Sequence, residues 1–154
     1  MILVLLGTNP YSFTRLAKAA DRYAEKSMEK VFIQLGHTNY LPLSASYKDF
    51  LSKQDIINMI DEAEIVITQG GFGSIADCLR AGKKVVAVPR KPELNESPDQ
   101  QEELVRELEK LDRLIGVYDI EELPEAILRA KFTKFKSGEK PFITDLINNF
   151  LVLR

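Results

Sequence analysis

The segment Ile65-Val-Ile-Thr-Gln-Gly-Gly-Phe-Gly-Ser-Ile-Ala-Asp77 joins a short apolar run to a glycine-rich turn and the start of a helix. A continuous apolar run that ends at glycine is typical of a strand buried on both faces of a parallel sheet. Four other runs share this character: Met1–Leu6, Val31–Leu35, Val85–Val88 and, more weakly, Leu114–Val117. Segments with helical periodicity separate them. The alternation predicts an α/β fold with a doubly wound, mostly parallel sheet, whose ligand site lies beyond the carboxyl ends of the strands.

The composition is that of one ordinary soluble domain. The 154 residues carry a formal net charge of −2, with 45% hydrophobic and 29% charged residues. This near balance gives no general attraction to nucleic acid or to acidic lipid. The apolar N-terminal run is too short to span a bilayer and lacks the flanks of a signal peptide. We therefore expect a single domain over residues 1–154 and a cytoplasmic location.

A glycine-rich turn follows the strand that begins at Ile65. Gly70, Gly71 and Gly73 leave room for a ligand, and free N–H groups at the start of the next helix suit a phosphate or diphosphate. Such turns also join strands to helices for steric reasons alone. The spacing is not the dinucleotide fingerprint, and no Lys follows as in a P-loop. Asp77, one turn into the helix, is either a ribose ligand or an acid that stabilises the helix dipole.

A second helix start is predicted at the segment Ser97-Pro98-Asp99-Gln100-Gln101. Ser suits the capping position and Pro suits the first helical position, which puts Gln100 and Gln101 in the first turn. Their amides and the positive helix end then face the same rim as the glycine-rich turn.

The remaining reactive side chains give weaker evidence of a catalytic or metal site. His37, the single histidine, is expected to be exposed rather than catalytic. Cys78 has apolar neighbours and is expected to be a buried, inert thiol. The sequence has no cluster of His and Cys with metal-ligand spacing, and no Ser-His-Asp arrangement is evident. We predict neither a metal site nor a cofactor.

Five segments taken in order resemble the family 28 glycosyltransferase C-terminal domain, over roughly residues 1–130. They are Gly7-Thr8, Ile33-Gln-Leu-Gly-His-Thr-Asn-Tyr40, Thr68-Gln-Gly-Gly-Phe-Gly-Ser74, Ala81-Gly-Lys-Lys-Val-Val-Ala-Val-Pro-Arg90 and Asp99-Gln-Gln101. The sequence is most similar to short, free-standing catalytic subunits of two-component enzymes. These include the eukaryotic subunit that makes dolichol-linked chitobiose and its bacterial exopolysaccharide and capsule relatives. The resemblance implies the Rossmann-like, nucleotide-sugar-binding half of a GT-B fold.

The resemblance also implies a set of donor-binding residues. The diphosphate would contact the glycine-rich turn and Ser74, with help from Arg90, and the ribose would contact Asp77. Gln100 and Gln101 would bind the sugar hydroxyls, and the remaining residues would line the cleft. Gln69 and Gln100 stand where the family usually has His, which removes any acid or base role at those positions. The complete set is Gly7, Thr8, Gln69, Gly70, Gly71, Gly73, Ser74, Asp77, Arg90, Gln100 and Gln101.

The function that the resemblance implies is inverting transfer of a hexose or N-acetylhexosamine from a UDP-sugar to a lipid-linked saccharide, in exopolysaccharide or glycan synthesis. No convincing catalytic base occurs in the sequence. In two-domain relatives the acceptor side belongs to the other domain, so the resemblance implies a membrane-associated partner that binds the acceptor and recruits the chain to the cytosolic face. The amphipathic helix predicted over residues 142–153 either docks onto that partner or packs on the chain's own sheet.

Three other functions stay open at the level of sequence. The first is a non-enzymatic subunit that binds a nucleotide-sugar or stabilises its partner. The second is a stand-alone UDP-hexose hydrolase, and the third is a dinucleotide oxidoreductase. Binding of a nicotinamide cofactor separates the last from the rest.

Overall fold

The computed structural model describes residues 1–135, which form six strands and five α-helices. The strands are β1 (Ile2–Leu5), β2 (Val31–Gln34), β3 (Ser46–Lys48), β4 (Ile65–Gln69), β5 (Lys84–Val88) and β6 (Ile115–Gly116). The helices are α1 (Thr14–Lys26), α2 (Lys53–Glu62), α3 (Phe72–Arg80), α4 (Glu102–Lys110) and α5 (Leu123–Phe132). The helix predicted over 142–153 lies outside the described residues.

The strands form one parallel sheet in the order β3-β2-β1-β4-β5-β6. Ile2 and Val4 of β1 pack into a core with α1 and α5, whereas Leu3 and Leu5 pack into a second core with α2, α3 and α4. Since both faces of the strand are buried, the sequence reads as a continuous apolar run rather than an alternating one. The α/β, doubly wound fold predicted from the sequence is confirmed.

Strand β3 is an edge strand that the sequence pattern does not predict. Its three residues are exposed, so no apolar run marks it. The loop before it is fixed by the buried Asp21, whose carboxylate accepts hydrogen bonds from the Tyr40 hydroxyl and from the N–H groups of residues 43–45, at 2.7–3.0 Å. Burial raises the pKa of Asp21, but these hydrogen bonds outweigh it and the pKa is lowered.

The start of α4 differs from the prediction. The helix begins at Glu102, with Gln101 at the capping position, so Gln100 and Gln101 precede the first turn. The Ser97 hydroxyl accepts the Asp99 N–H at 3.2 Å within a local turn. The capping prediction was wrong because the Gln101 side chain bonds to the ends of β4 and β5 instead.

None of the helices within residues 1–135 combines the length and the apolar character that crossing a bilayer requires.

Candidate functional site

A cavity of about 360 Å³ opens at the carboxyl ends of β1, β2 and β4. Six residues of the predicted set line it: Gly7, Thr8, Gln69, Gly73, Ser74 and Asp77. Five further residues complete the lining: Leu5, Asn9, Gln34, Ile56 and Ile60. The ends of β1, β2 and β4 and the loops after β1 and β4 therefore meet at one edge of the sheet, where a parallel sheet binds its ligands.

The N-terminus of α3 contributes backbone donors to this cavity. Gly71 is the capping residue and provides no side-chain bond, and Ile75 donates to the Gly71 carbonyl at 3.3 Å. The N–H groups of residues 72–74 precede that bond and have no partner inside the helix. A Cβ on Gly73 would meet nothing within 4 Å, so the backbone is open here. Free N–H groups and the helix dipole make this an anion-binding end.

Two glycines of the turn face glutamine side chains rather than open space. A Cβ on Gly71 would lie 2.6 Å from Gln69 Nε2, and a Cβ on Gly70 would lie 2.9 Å from Gln101 Cβ. Gln101 Oε1 accepts the N–H groups of Gly70 at 3.0 Å and Arg90 at 2.9 Å, and Gln101 Nε2 donates to Gln69 Oε1 at 2.8 Å. A side chain at position 70 would therefore meet Gln101 Cβ and the Pro89 backbone, one at position 71 would displace the Gln69 amide, and Gly73 faces open space.

Gln34 holds the first loop of the site and was not singled out from the sequence. Its Oε1 accepts the Gly7 N–H at 3.1 Å, and its Nε2 donates to the carbonyls of Gly7 at 3.1 Å and Asp49 at 3.0 Å. Gly7 has φ +79° and Gly36 has φ +61°, and a Cβ on Gly36 would lie 2.2 Å from the Gly7 carbonyl oxygen. A polar residue that ends an apolar strand is the sequence signal that could have identified Gln34.

Asp77 lies where the cavity meets a second, more apolar groove. Its side chain is 67% exposed and lies 3.5 Å from the guanidinium of Arg80. The groove, of about 430 Å³, runs between α2 and α3 and shares Ile56, Ile60 and Asp77 with the cavity. Its other lining residues are Leu51, Lys53, Ile57, Asp61, Arg80 and Ala81. Anion-binding N–H groups, an exposed carboxylate and an apolar groove thus follow one another along α3.

Arg90 is not brought to the cavity. It is 1% exposed, and its guanidinium donates to the carbonyls of Leu6 at 2.6 Å, Glu96 at 2.8 Å and Tyr11 at 2.9 Å. The guanidinium also lies 4.8 Å from the centre of the Phe13 ring. Burial lowers the pKa of Arg90 to about 10, so the group stays charged at neutral pH. The expected contact with a diphosphate is replaced by a structural role, because every partner of the guanidinium is inside the fold.

The other polar candidates lie away from the cavity. Gln100 is exposed and does not line it. His37 is exposed and contacts Phe50 edge to face, with 5.1 Å between ring centres. Cys78 is fully buried, as predicted, and burial raises the pKa of its thiol to about 12. Within residues 1–135 no three His, Cys, Asp or Glu side chains lie close enough together to hold a metal ion.

A family model described as the glycosyltransferase family 28 C-terminal domain matches residues 1–141. The chain belongs to this family. No curated protein matches the sequence at a significant level.

Among solved structures, the family 28 chain is similar to the NMR structure of ALG13, with 17% identity and a TM-score of 0.65, over 94% of this chain and 93% of that one. It is also similar to the glycosyltransferase of kitacinnamycin (14%, TM-score 0.66) and to CalG4, the calicheamicin glycosyltransferase (18%, TM-score 0.63). The match covers 86% of this chain in both cases but only 35% and 34% of those proteins. The chain therefore spans about a third of their length and has the Rossmann-like half of the GT-B fold.

Proposed function

We propose that this family 28 chain is the donor-binding catalytic subunit of an inverting glycosyltransferase. It binds a UDP-sugar and transfers a hexose or N-acetylhexosamine to a lipid-linked saccharide in exopolysaccharide or glycan synthesis. Family membership supports the reaction class. The observation that supports a nucleotide-sugar as donor is the order of three features along α3: free N–H groups, then an exposed carboxylate, then an apolar groove. The diphosphate, ribose and base of a nucleotide follow one another in the same order.

Each subsite matches the chemistry of one part of the donor. The N–H groups of residues 72–74 donate to the diphosphate oxygens, with the Ser74 hydroxyl beside them. Asp77 accepts hydrogen bonds from the ribose hydroxyls, as acidic residues do in other doubly wound folds. The uracil ring packs on the aliphatic walls that Leu51, Ile56 and Ile57 provide in the groove.

The reaction needs stabilisation of a leaving group and activation of an acceptor. As the glycosidic bond to the diphosphate breaks, negative charge grows on the phosphate oxygens, and donors already fixed in place stabilise it. Inversion also needs a base on the opposite face of the sugar. Asp77 is the only titratable side chain among the described residues that line the cavity, and it is assigned to the ribose. We propose that a membrane-associated partner at the cytosolic face binds the acceptor and supplies the base.

Calorimetric titration of the purified chain tests the donor site. The ligands are UDP, UDP-glucose, UDP-galactose, UDP-N-acetylglucosamine and a nicotinamide dinucleotide. Asp77→Ala removes hydrogen bonds to a charged group, about 1.5–3 kcal/mol, so the affinity for UDP should fall roughly 10- to 150-fold. Glu25→Ala removes the same charge from an exposed position on α1, across the sheet, and should leave the affinity unchanged. Nicotinamide binding without UDP binding would contradict the proposal.

A non-enzymatic, donor-binding subunit is the second candidate, because among residues 1–135 no base other than Asp77 lines the cavity. The chain and its partner are reconstituted with a UDP-sugar and a lipid-linked acceptor. Turnover whose KM for the donor rises roughly 10- to 150-fold in Asp77→Ala supports the catalytic subunit. Donor binding by the chain combined with turnover that Asp77→Ala leaves unchanged supports the non-enzymatic subunit.

A further inference from the structure

The side chains of Gln101 and Gln69 form a hydrogen-bonded pair whose polarity is determined by the backbone. Two N–H groups, those of Gly70 and Arg90, donate to a single atom of the Gln101 amide, at 3.0 and 2.9 Å. Because a backbone N–H can only donate, that atom must be the oxygen. The Gln101 nitrogen therefore has to be on the opposite side of the amide, where it donates to Gln69 at 2.8 Å.

The same reasoning determines the orientation of Gln69. The atom that accepts from the Gln101 nitrogen must be the Gln69 oxygen, so the Gln69 nitrogen is directed the other way. That nitrogen lies between the first loop and the glycine-rich turn, 3.0 Å from an ideal Cβ on Gly7 and 2.6 Å from one on Gly71. Gln69 is 9% exposed and lines the cavity, and within residues 1–135 its nitrogen donates to no acceptor.

We propose that Gln101 is a positioning residue that makes Gln69 an obligatory hydrogen-bond donor to an oxygen of the bound diphosphate. This inference rests on the proposed function and deepens it. Gln69 lines the cavity together with Gly73 and Ser74, at the helix end that binds anions, so the acceptor it faces is a phosphate oxygen. The second Nε2 hydrogen of Gln101 can donate to a sugar hydroxyl, whereas Oε1 already accepts the backbone N–H groups of Gly70 and Arg90.

The pair gives the site a donor that does not depend on pH. An amide neither gains nor loses a proton in the physiological range, whereas an imidazole changes its charge near pH 6.5. An amide that was free to turn would present its oxygen as easily as its nitrogen, and the oxygen repels an anion. The backbone N–H groups of Gly70 and Arg90 remove that freedom through Gln101.

The substitution Gln101→Glu tests the polarity directly. A carboxylate still accepts both backbone N–H groups but can no longer donate to Gln69. The Gln69 amide then turns to donate its nitrogen to the carboxylate and presents its oxygen to the diphosphate. The affinity for UDP should fall roughly 10- to 100-fold, since a charge-assisted hydrogen bond becomes a repulsion. The affinity for uridine, which has no phosphate, should not change when both are followed by NMR titration.

Two further variants distinguish a change in the direction of the Gln69 amide from a general loss of folding. Gln69→Glu leaves the bonds from Gly70 and Arg90 to Gln101 intact and should cause the same selective loss of UDP affinity. Gln69→His restores an N–H donor and should bind UDP-N-acetylglucosamine, whose doubly esterified diphosphate does not titrate near neutral pH, more tightly as the pH falls through the imidazole pKa, whereas the wild type should show no such change. Gln54→Glu controls for an added charge at an exposed position of α2. Gln101→Met removes the bond to Gln69 without adding a charge, so a selective loss of UDP affinity in this variant separates amide polarity from charge repulsion.

The outcomes distinguish this inference from the proposed function. If the wild-type chain binds neither UDP nor any UDP-sugar, the proposed function fails and the inference fails with it. If the wild type binds UDP and both glutamate variants bind it equally well, only the inference fails. Equal losses for UDP and uridine would also overturn it, because they indicate a general disturbance of the site.

Discussion

Replacing Arg90 with Met should destabilise the fold by about 3–5 kcal/mol, because the buried guanidinium donates three hydrogen bonds to backbone carbonyls. These bonds connect the end of β1, the loop before α1 and the loop after β5, so their loss leaves buried carbonyls without a donor. Methionine keeps the aliphatic stem and can pack on Phe13, so the substitution removes the charge and the hydrogen bonds while leaving little empty volume. The loss is a large part of a typical folding free energy of 5–15 kcal/mol.

Urea unfolding followed by far-UV circular dichroism measures this change. With an m-value of about 2 kcal/mol/M, the midpoint should fall by roughly 2 M. Arg22→Met, at an exposed position of α1, should stay within about 0.5 kcal/mol of the wild type. If Arg90→Met is as stable as the wild type but no longer binds UDP, the guanidinium contacts the ligand and the structural role given to Arg90 is refuted.

Three further predictions concern glycine, acid and thiol positions. Gly36→Ala forces a Cβ to 2.2 Å from the Gly7 carbonyl oxygen at φ +61°, and should cost about 2–4 kcal/mol by thermal unfolding. Gly82→Ala, at φ +72° with open space around it, should cost only about 1 kcal/mol. The lowered pKa of Asp21 means that its stabilisation is complete above the ordinary aspartate pKa and is lost as the pH falls through the folded value. As the pH is lowered, the midpoint of urea unfolding should therefore fall less steeply in Asp21→Asn than in the wild type. Cys78, whose pKa is raised to about 12, should react with iodoacetamide at pH 8 only after urea unfolds the chain, and rapid labelling of the native protein would contradict its burial.

The central strands can be predicted from the sequence because burial on both faces requires a continuous apolar run. A strand such as β1, buried on both faces, must be apolar at every position. Strand β3 has no such apolar run, since its residues are exposed and its position depends on the loop bound by Asp21 and on pairing with β2. The start of α4 was misplaced because the bonds of Gln101 to distant backbone groups override the local capping pattern.

The candidate site is predictable where it depends on strand order and less so where it depends on side-chain direction. The order of the strands brings the turn at Gly73 and the acid at Asp77 to one cavity. Sequence cannot tell whether the Arg90 cation points into a cleft or into the fold, because both are compatible with a cation after a buried strand. Nor does it distinguish a glycine that admits a ligand from one, such as Gly71, that admits a neighbouring side chain.

The central position of β1 affects how the chain folds during synthesis. One of its edges pairs with β2, but the other pairs with β4, which begins at Ile65. Roughly 60 residues must be translated after β1 before that edge is covered, which takes about 3–12 s at 5–20 residues per second. During this interval the nascent chain presents an apolar strand with an open edge, which is a site for aggregation. The translation rate between β1 and β4, rather than the stability of the finished sheet, therefore sets how long this edge of β1 stays open.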